Sequence, residues 1–551
     1  MTTSSGKLSW FKSESFIRIL QFSAGIAGIG IIFYLLQFST TAICCGDFDG
    51  YYHVQWAREL WMSMKSKAFP PAFPWLPLTT LNPKDYVDHH LLFHIFQIPF
   101  VAFSDPRLGA KIASALFGGL AVLSCYWLLL RYRVRYPLVW LIALLACSAP
   151  FLFRMNMAKA PPLAIVYLVI AIHLFFQRKD SRRYWPLLPL ALIFTWTYDL
   201  FVLLVMATVF WVITIAITEL RFEWRPLVFV LVGCAAGMVL NPYFPHNLQL
   251  LVEHMQIKLT MSDFDTKVGS EWYPYDSWEF LGNSAVACIA MLAGYISFEP
   301  SERKRAHYSI FFLLFSTALM IMTARWKRIA EYWPPFAVLF AAFSLQPWLQ
   351  GLRAYPRRLP PDVLEELQPF FDREEKTERA SLELLRHGAA AVVALVLCVF
   401  LYFNLTATEK EIAQSEPHDH YRAGAQWLRD NVPAGQIIFN TDWDDFPRLF
   451  YYAPSHHYVS GLDPNYLFDK DPDLSRLYDR ITLGQEQDPG PLIRDRFGAR
   501  YVFSDNLHHD FFDQARSSGW FDIVYEDTEC TIMYIRDEKL VENPLGEPGD
   551  E

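Results

Sequence analysis

Long apolar runs that repeat with only short polar stretches between them leave this chain few folds to choose from. Blocks of about 15 to 23 apolar residues, one after another, exceed what a single soluble core hides, whereas a helix of about 20 such residues spans the hydrocarbon of a bilayer. Eleven spans are expected, at residues 16–38, 108–130, 136–150, 160–177, 185–200, 201–218, 226–242, 281–298, 308–323, 332–347 and 388–406. Over 551 residues the composition is 53% hydrophobic and 16% aromatic, above the roughly 45–50% apolar content of soluble domains. The expected fold class is therefore an α-helical polytopic membrane protein.

Basic residues set the expected orientation, because Lys and Arg concentrate in cytoplasmic loops. Lys7, Lys12 and Arg18 precede the first run, and no small-residue cleavage site follows it. That run reads as a retained helix, not a signal peptide. With the N-terminus inside, the inner loops carry Arg131, Arg133 and Arg135; Arg178, Lys179, Arg182 and Arg183; Arg221 and Arg225; Arg303, Lys304 and Arg305; and Arg353, Arg357 and Arg358. The fit requires that 88–104 not span. His89, His90, His94, Gln97 and Pro99 mark that stretch as an interfacial or re-entrant helix; were it to span, every later loop would flip.

Two long outer loops follow, 39–107 and 243–280, with a long inner loop, 348–387, whose 361–386 stretch reads as a surface helix. The expected domains are thus a transmembrane unit, 1–408, and an outer unit, 409–551. In the latter, 423–431 reads as a helix ending before Pro433, and 436–440, 500–504 and 531–535 read as strands of a small α/β domain. A net charge of −9 disfavours nucleic acid as a partner. Cys125, Cys147, Cys234, Cys288 and Cys398 fall inside apolar runs, Cys44 and Cys45 are adjacent, and Cys530 stands alone, so no disulfide scaffold or metal knuckle is written in the sequence.

Ionisable residues at membrane depth are costly and mark working sites. Gly46-Asp47-Phe48-Asp49-Gly50-Tyr51-Tyr52-His53 stands at the outer mouth of the first span, and Asp85-Tyr86-Val87-Asp88-His89-His90 precedes the interfacial run. Asp49, with Asp47 and Asp88 behind it, suits a general base or a ligand of a divalent cation such as Mg or Mn; the competing reading of Gly-Asp-x-Asp-Gly is a helix-capping turn. His53, His89 and His90 could complete the site, although adjacent histidines on a helix point apart and cannot easily share one ion. Arg325, Lys327 and Arg328 at an outer helix end break the positive-inside trend and suit phosphate contact, with headgroup snorkelling as the alternative. Arg154 and Lys159 are a weaker form of the same idea. Asp263, Asp265 and Glu271 could add a carboxylate, and Trp272 and Tyr273 could stack on sugar. Trp443, Asp444 and Asp445 follow a strand end, a common place for binding residues. His456-His457 and His508-His509 read as surface residues.

These residues resemble the GT-C superfamily of membrane glycosyltransferases. Asp49-Gly50-Tyr51-Tyr52-His53 is similar to the Asp-x-x-Tyr-His stretch of oligosaccharyltransferase catalytic subunits. Asn241-Pro242-Tyr243, Glu271-Trp272, and Arg328 with Tyr332 and Pro334-Pro335 resemble uncharacterised bacterial members. Asn440-Thr441-Asp442-Trp443-Asp444-Asp445 resembles a variant of the oligosaccharyltransferase Trp-Trp-Asp motif in which Asp442 replaces the first Trp and Asp445-Phe446 the usual Tyr-Gly, a departure that bears on peptide recognition. The resemblance implies a polyprenyl-phosphate- or diphosphate-linked sugar donor, an acceptor left open among protein, lipid, glycan and cell-wall polymer, and an inverting transfer at the outer face. The basic-residue count places the N-terminus in the cytoplasm and 409–551 outside, and the expected location is a bacterial inner membrane, in contact with membrane lipids. A transporter of lipid-linked saccharide and a scaffold with a glycan- or protein-binding outer domain are the competing expectations; the first would show charges on broken mid-membrane helices and internal repeats.

Overall fold

Among the described residues, five helices are long and apolar enough to cross a membrane: Ser15–Gln37, Pro106–Arg131, Asp199–Glu219, His307–Arg325 and Glu383–Ala413. The computed structural model describes residues 14–43, 48–102, 105–177, 184–259, 270–299, 306–350 and 361–540. Asp47, Asp263, Asp265 and the basic residues at 178–183, 303–305 and 353–358 lie outside them.

Two expected spans are broken. The 136–150 run is a helix, Pro137–Leu145, followed at 83° by Ala149–Met155; the 281–298 run bends by 85° between Ser277–Asn283 and Ala285–Ser297. The first break has a local cause. Ser148 is extended and its hydroxyl caps the second helix by accepting from Phe151 N, with Pro150 in the first turn, where a missing N–H costs nothing. The two bends meet, since Ser284 Oγ donates to Ser148 Oγ at 3.0 Å. The long helix Pro361–Ala413 covers the first bend: Asn404 Nδ2 donates to Ala146 O, one of the carbonyls the break frees. Counting each bent pair once gives seven spans by length and composition, with Leu91–Val101, Pro161–Phe176, Leu187–Thr197 and Arg225–Val239 as shorter apolar helices, so five of the eleven expected spans match long straight helices.

The stretch expected to lie at the interface is the short helix Leu91–Val101, only 11 residues long with Pro99 inside it, too short to cross the hydrocarbon. It packs hard against Pro106–Arg131: a Cβ on Gly109 would fall 2.0 Å from Phe100 O. Before it, the long first outer loop contains a helix, Asp49–Ser66, whose Tyr51, Tyr52, His53, Trp56, Ala57 and Leu60 are buried.

The C-terminal domain, called outer after the side on which the sequence leads it to be expected, is a five-stranded mixed sheet. Its strands are β1 (Ile437–Asn440), β2 (His457–Tyr458), β3 (Ala499–Asp505), β4 (Phe521–Glu526) and β5 (Cys530–Ile535), in the order β2-β1-β3-β5-β4. β1 runs parallel to β2 and β3, with Phe439 opposite Val502, and β5 runs antiparallel to β3 and β4. The expected helix is present as Arg422–Asn431.

This domain shares one apolar core with the first outer loop. Phe450, on helix Phe446–Tyr452, packs on Trp75 and Tyr52. Trp75 Nε1 donates to Pro454 O at 2.7 Å, and Thr80 N donates to Tyr466 O at 2.9 Å. The packing holds the outer domain over the mouth of the helices.

Candidate active site

Asp49 occupies the first turn of its helix, where a carboxylate is favoured by the macrodipole. It is not the capping residue. The N-cap position is Phe48, and the Asp49 carboxylate instead pairs with Lys159 Nζ at 2.9 Å. Its side chain is 32% exposed, so a substrate can reach it. Lys159 arrives from the turn between the second arm of the first bent pair and helix Pro161–Phe176.

One helical turn on, His53 enters a buried polar chain. His53 Nδ1 lies 2.7 Å from His94 Nε2, and His94 Nδ1 lies 2.9 Å from both Asp88 oxygens. Asp88 also accepts from Trp56 Nε1 and from the His90 backbone N–H, each at 2.9 Å. Burial works to raise the Asp88 carboxyl, but His94, by charge and hydrogen bond, and Trp56 outweigh it and hold it below its ordinary value. Burial, helped by His94 and Lys159, keeps His53 well below the usual imidazole range and therefore neutral. His90 stacks on Tyr198 with centroids 5.3 Å apart, and His89 lies against the His90 ring.

The cationic side is built around Glu271. Arg154 Nη2 donates to Glu271 Oε2 at 2.5 Å, Arg154 Nε donates to the buried Glu331 Oε1 at 2.6 Å, and Arg328 Nη1 donates to Glu271 Oε1. Arg328 Nη2 also donates to Tyr198 Oη at 3.0 Å, and its guanidinium lies over Trp272, 5.1 Å from the ring centroid. Burial pushes the Glu271 carboxyl up, but the Arg328, Arg154 and Lys159 charges prevail and hold it well below the carboxylate range. The bend at Ser148 is what turns Arg154 towards this cluster.

Lys159 joins the two halves: it pairs with Asp49, and its charge acts on both Glu271 and His53. The outer domain contributes Tyr466. Burial, then the charges of Asp463, Asp199 and Asp49, push its phenol well above the usual value, with Arg328 opposing them. Tyr466 thus stands within the field of the carboxylates and of the arginine at once.

The expected residues divide accordingly. Asp49, His53, Asp88, His90, Glu271, Trp272 and Arg328 converge from four parts of the chain. Arg325 is exposed at the end of its helix. Trp443 and Asp444 stay with the outer domain, in the turn between β1 and helix Phe446–Tyr452, and reach the site only through that helix, whose Arg448 lies over the Tyr51 ring at 4.5 Å. Sequence reasoning missed His94, Glu331, Tyr198 and Tyr466, and underrated Lys159. Two surface assignments are corrected. His456 is fully buried with Nε2 against Val432 O, and His508 binds Asp505, because both stand where strands of the sheet end in a shared core.

The expectation that Asp49 and Asp88 together hold a divalent cation does not fit the arrangement. Both Asp88 oxygens are taken by His94, with Trp56 and the His90 N–H besides, while Asp49 faces an ammonium. Among the described residues no group of three or more His, Cys, Asp and Glu side chains is placed to hold a metal ion.

No family model and no curated protein matches the sequence. Solved structures do. The Archaeoglobus fulgidus oligosaccharyltransferase in the apo form superposes with a TM-score of 0.60 over 97% of this chain and 76% of its own, at 13% identity. ArnT from Cupriavidus metallidurans bound to undecaprenyl phosphate superposes with a TM-score of 0.56 over 94% of this chain and 97% of its own, also at 13% identity. The archaeal enzyme has also been solved with zinc and sulfate (TM-score 0.57, 12% identity, 92% of this chain and 72% of that one). The chain therefore shares the fold of these structures.

Proposed function

We propose that this protein is an inverting glycosyltransferase that moves a sugar or oligosaccharide from a polyprenyl-phosphate or -diphosphate carrier to an acceptor at the outer face of a membrane. The observation that carries the reading is the Lys159 junction: an accessible carboxylate, Asp49, is paired with an ammonium whose charge also acts on Glu271, the residue that holds Arg154 and Arg328. Glycosyl transfer needs these two parts side by side. The acceptor must lose a proton as it attacks, and the leaving phosphate must be stabilised as its bond to the sugar breaks.

In this reading Asp49 takes the acceptor's proton. Arg328 and Lys159 face the phosphate, while Glu271 and Glu331 hold the guanidiniums in place, an arrangement suited to planar, bidentate phosphate recognition. Trp272, under Arg328, and Tyr466, which feels the Asp49 charge, offer aromatic and hydroxyl contacts to sugar. Attack from the face opposite the phosphate inverts the anomeric carbon in one step, with no sugar–enzyme bond. A divalent cation is assigned no step. The ArnT complex with undecaprenyl phosphate supports the carrier class by likeness of fold. Acceptor choice falls to the outer domain, where Trp443 and Asp444 stand at the strand end.

Incubation of the purified protein with radiolabelled polyprenyl-phosphate and polyprenyl-diphosphate sugars, with a membrane extract as the acceptor source, tests the reading. Consumption of one donor class by the wild type but not by Asp49→Asn is expected. Movement of intact donor between leaflets without chemical change would replace transfer with transport.

A further inference from the structure

The chain of hydrogen bonds from Asp88 through His94 to His53 has a defined direction. Asp88 is an ionised, buried acceptor, so His94 carries its proton on Nδ1, and its Nε2 is then a lone pair. At 2.7 Å from that lone pair, His53 must donate from Nδ1, which leaves a second lone pair on His53 Nε2. Among the described residues no protein donor reaches that atom. The chain is buried along its length: Asp88 is 2% exposed, His94 0% and His53 4%. Burying an ionised carboxylate and two imidazoles is costly, and an apolar core would pack this corner at less expense.

His53 is four residues from Asp49, on the same face of one helix. Lys159 acts on both: it is paired to Asp49, and its charge disfavours a proton on His53. The other groups facing the chain are His89 and His90 beside His53, Asp199 beside His90, and the Tyr52, Tyr86 and Tyr243 phenols beside Asp88. Asp49 is a third exposed, and the substrates that must touch it cover that third, so its proton needs an inward exit.

We propose that Asp88, His94 and His53 form a proton relay that takes the acceptor's proton from Asp49 during transfer. This rests on the glycosyltransferase reading above and deepens it. As the acceptor O–H or N–H bond breaks, the acceptor atom bonds to the anomeric carbon, and the carbon–oxygen bond to phosphate breaks with its electron pair left on phosphate. The proton passes to Asp49 and on to His53 Nε2, His53 Nδ1–H passes to His94 Nε2, and the positive charge comes to rest on His94 against Asp88. The reverse shift releases the proton to water once the products have left. His53 and His94 act here through Asp49 and are positioning residues.

The test compares the full-length wild type with His94→Gln and His53→Gln. It measures the single-turnover transfer rate in H2O/D2O mixtures, its pH dependence, and the affinity for donor. The wild type is expected to show a curved dependence on deuterium fraction, because more than one proton moves. Both variants are expected to lose about 10²-fold in rate, with donor affinity within twofold of wild type and a linear dependence. A linear dependence in the wild type would overturn the relay, as would variants that slow transfer while keeping the wild-type curvature. Unchanged donor affinity guards against mistaking misfolding for loss of the relay. Full activity of Asp49→Asn would instead bring down the glycosyltransferase reading, whereas failure of the relay alone leaves Asp49→Asn inactive.

Discussion

Lys159 shows how much of a site one side chain can settle. In the sequence it is a lone cation beside two prolines; in the fold it pairs with the carboxylate expected to do the chemistry, and its charge acts on the glutamate that holds the arginines. Lys159→Met is expected to cut kcat/KM for a polyprenyl-linked sugar by about 10²-fold, as removal of a donor to a developing anion does, and Arg328→Ala by a similar factor; steady-state kinetics check both, and a change within twofold would contradict the role given to each. A second residue-scale prediction concerns the outer domain. Burial, then the neighbouring Asp442 carboxylate, push Asp444 up to about 7, and burial with Asp505 pushes Asp445 up as well. A raised carboxyl binds its proton more tightly folded than unfolded, so its contribution is full below pH ~4 and is lost as pH rises towards 7. His508 acts in the same direction: burial opposes its charge, but the Asp505 hydrogen bond wins and raises it, so its contribution is lost as pH rises through the raised value. The full protein should therefore show an outer-domain transition that falls between pH 5 and pH 8. Asp444→Asn should raise the melting temperature at pH 8, by about 2–4 °C for each kcal/mol of repulsion relieved, by less at pH 5, and not at all below pH ~4. Asp49 drew notice in the sequence because its acidic cluster ends an apolar run. Lys159, Glu331 and Tyr466 did not, because nothing local distinguishes them from ordinary loop and helix residues until the chain folds back on itself.

At the scale of elements, long apolar helices were legible and bends were not. The 136–150 run is apolar throughout, so periodicity carries no sign of a break; the signal was Ser148 followed by Pro150, a cap and a first-turn proline inside what reads as one span. That bend matters for the candidate site, because a straight helix would carry Arg154 on along the first arm and away from Glu271. The short helix Leu91–Val101 is the other element on which the site depends, since it carries His94 and fixes Asp88 just before it. Its contact with Gly109 leaves no room for a side chain, so Gly109→Val must push the two helices apart. A loss of about 1–3 kcal/mol is expected from the overpacking, read as a lower melting temperature in detergent, together with a loss of transfer activity. A variant as stable as wild type would show that the two helices separate freely and that the site does not rely on their contact.

Across the whole molecule, the outer domain and the first outer loop form one folded layer over the helices. Tyr466 and Arg448 reach the mouth only because Trp75, Phe450 and Thr80 lock the layer together. The domain's existence and several of its strands could be read from the sequence, whereas its seat could not, since the aromatic residues that form it lie about 375 residues apart and each reads as ordinary core. The proposed function divides the work: acceptor selection in the outer layer, donor phosphate at the helix ends and the reacting carboxylate between them. One measurement tests that division most directly: turnover of radiolabelled polyprenyl-phosphate and -diphosphate sugars by purified wild type beside Asp49→Asn, with binding of each donor measured in parallel. The account predicts that Asp49→Asn binds donor as the wild type does and transfers nothing detectable. Transfer by Asp49→Asn at the wild-type rate would contradict it.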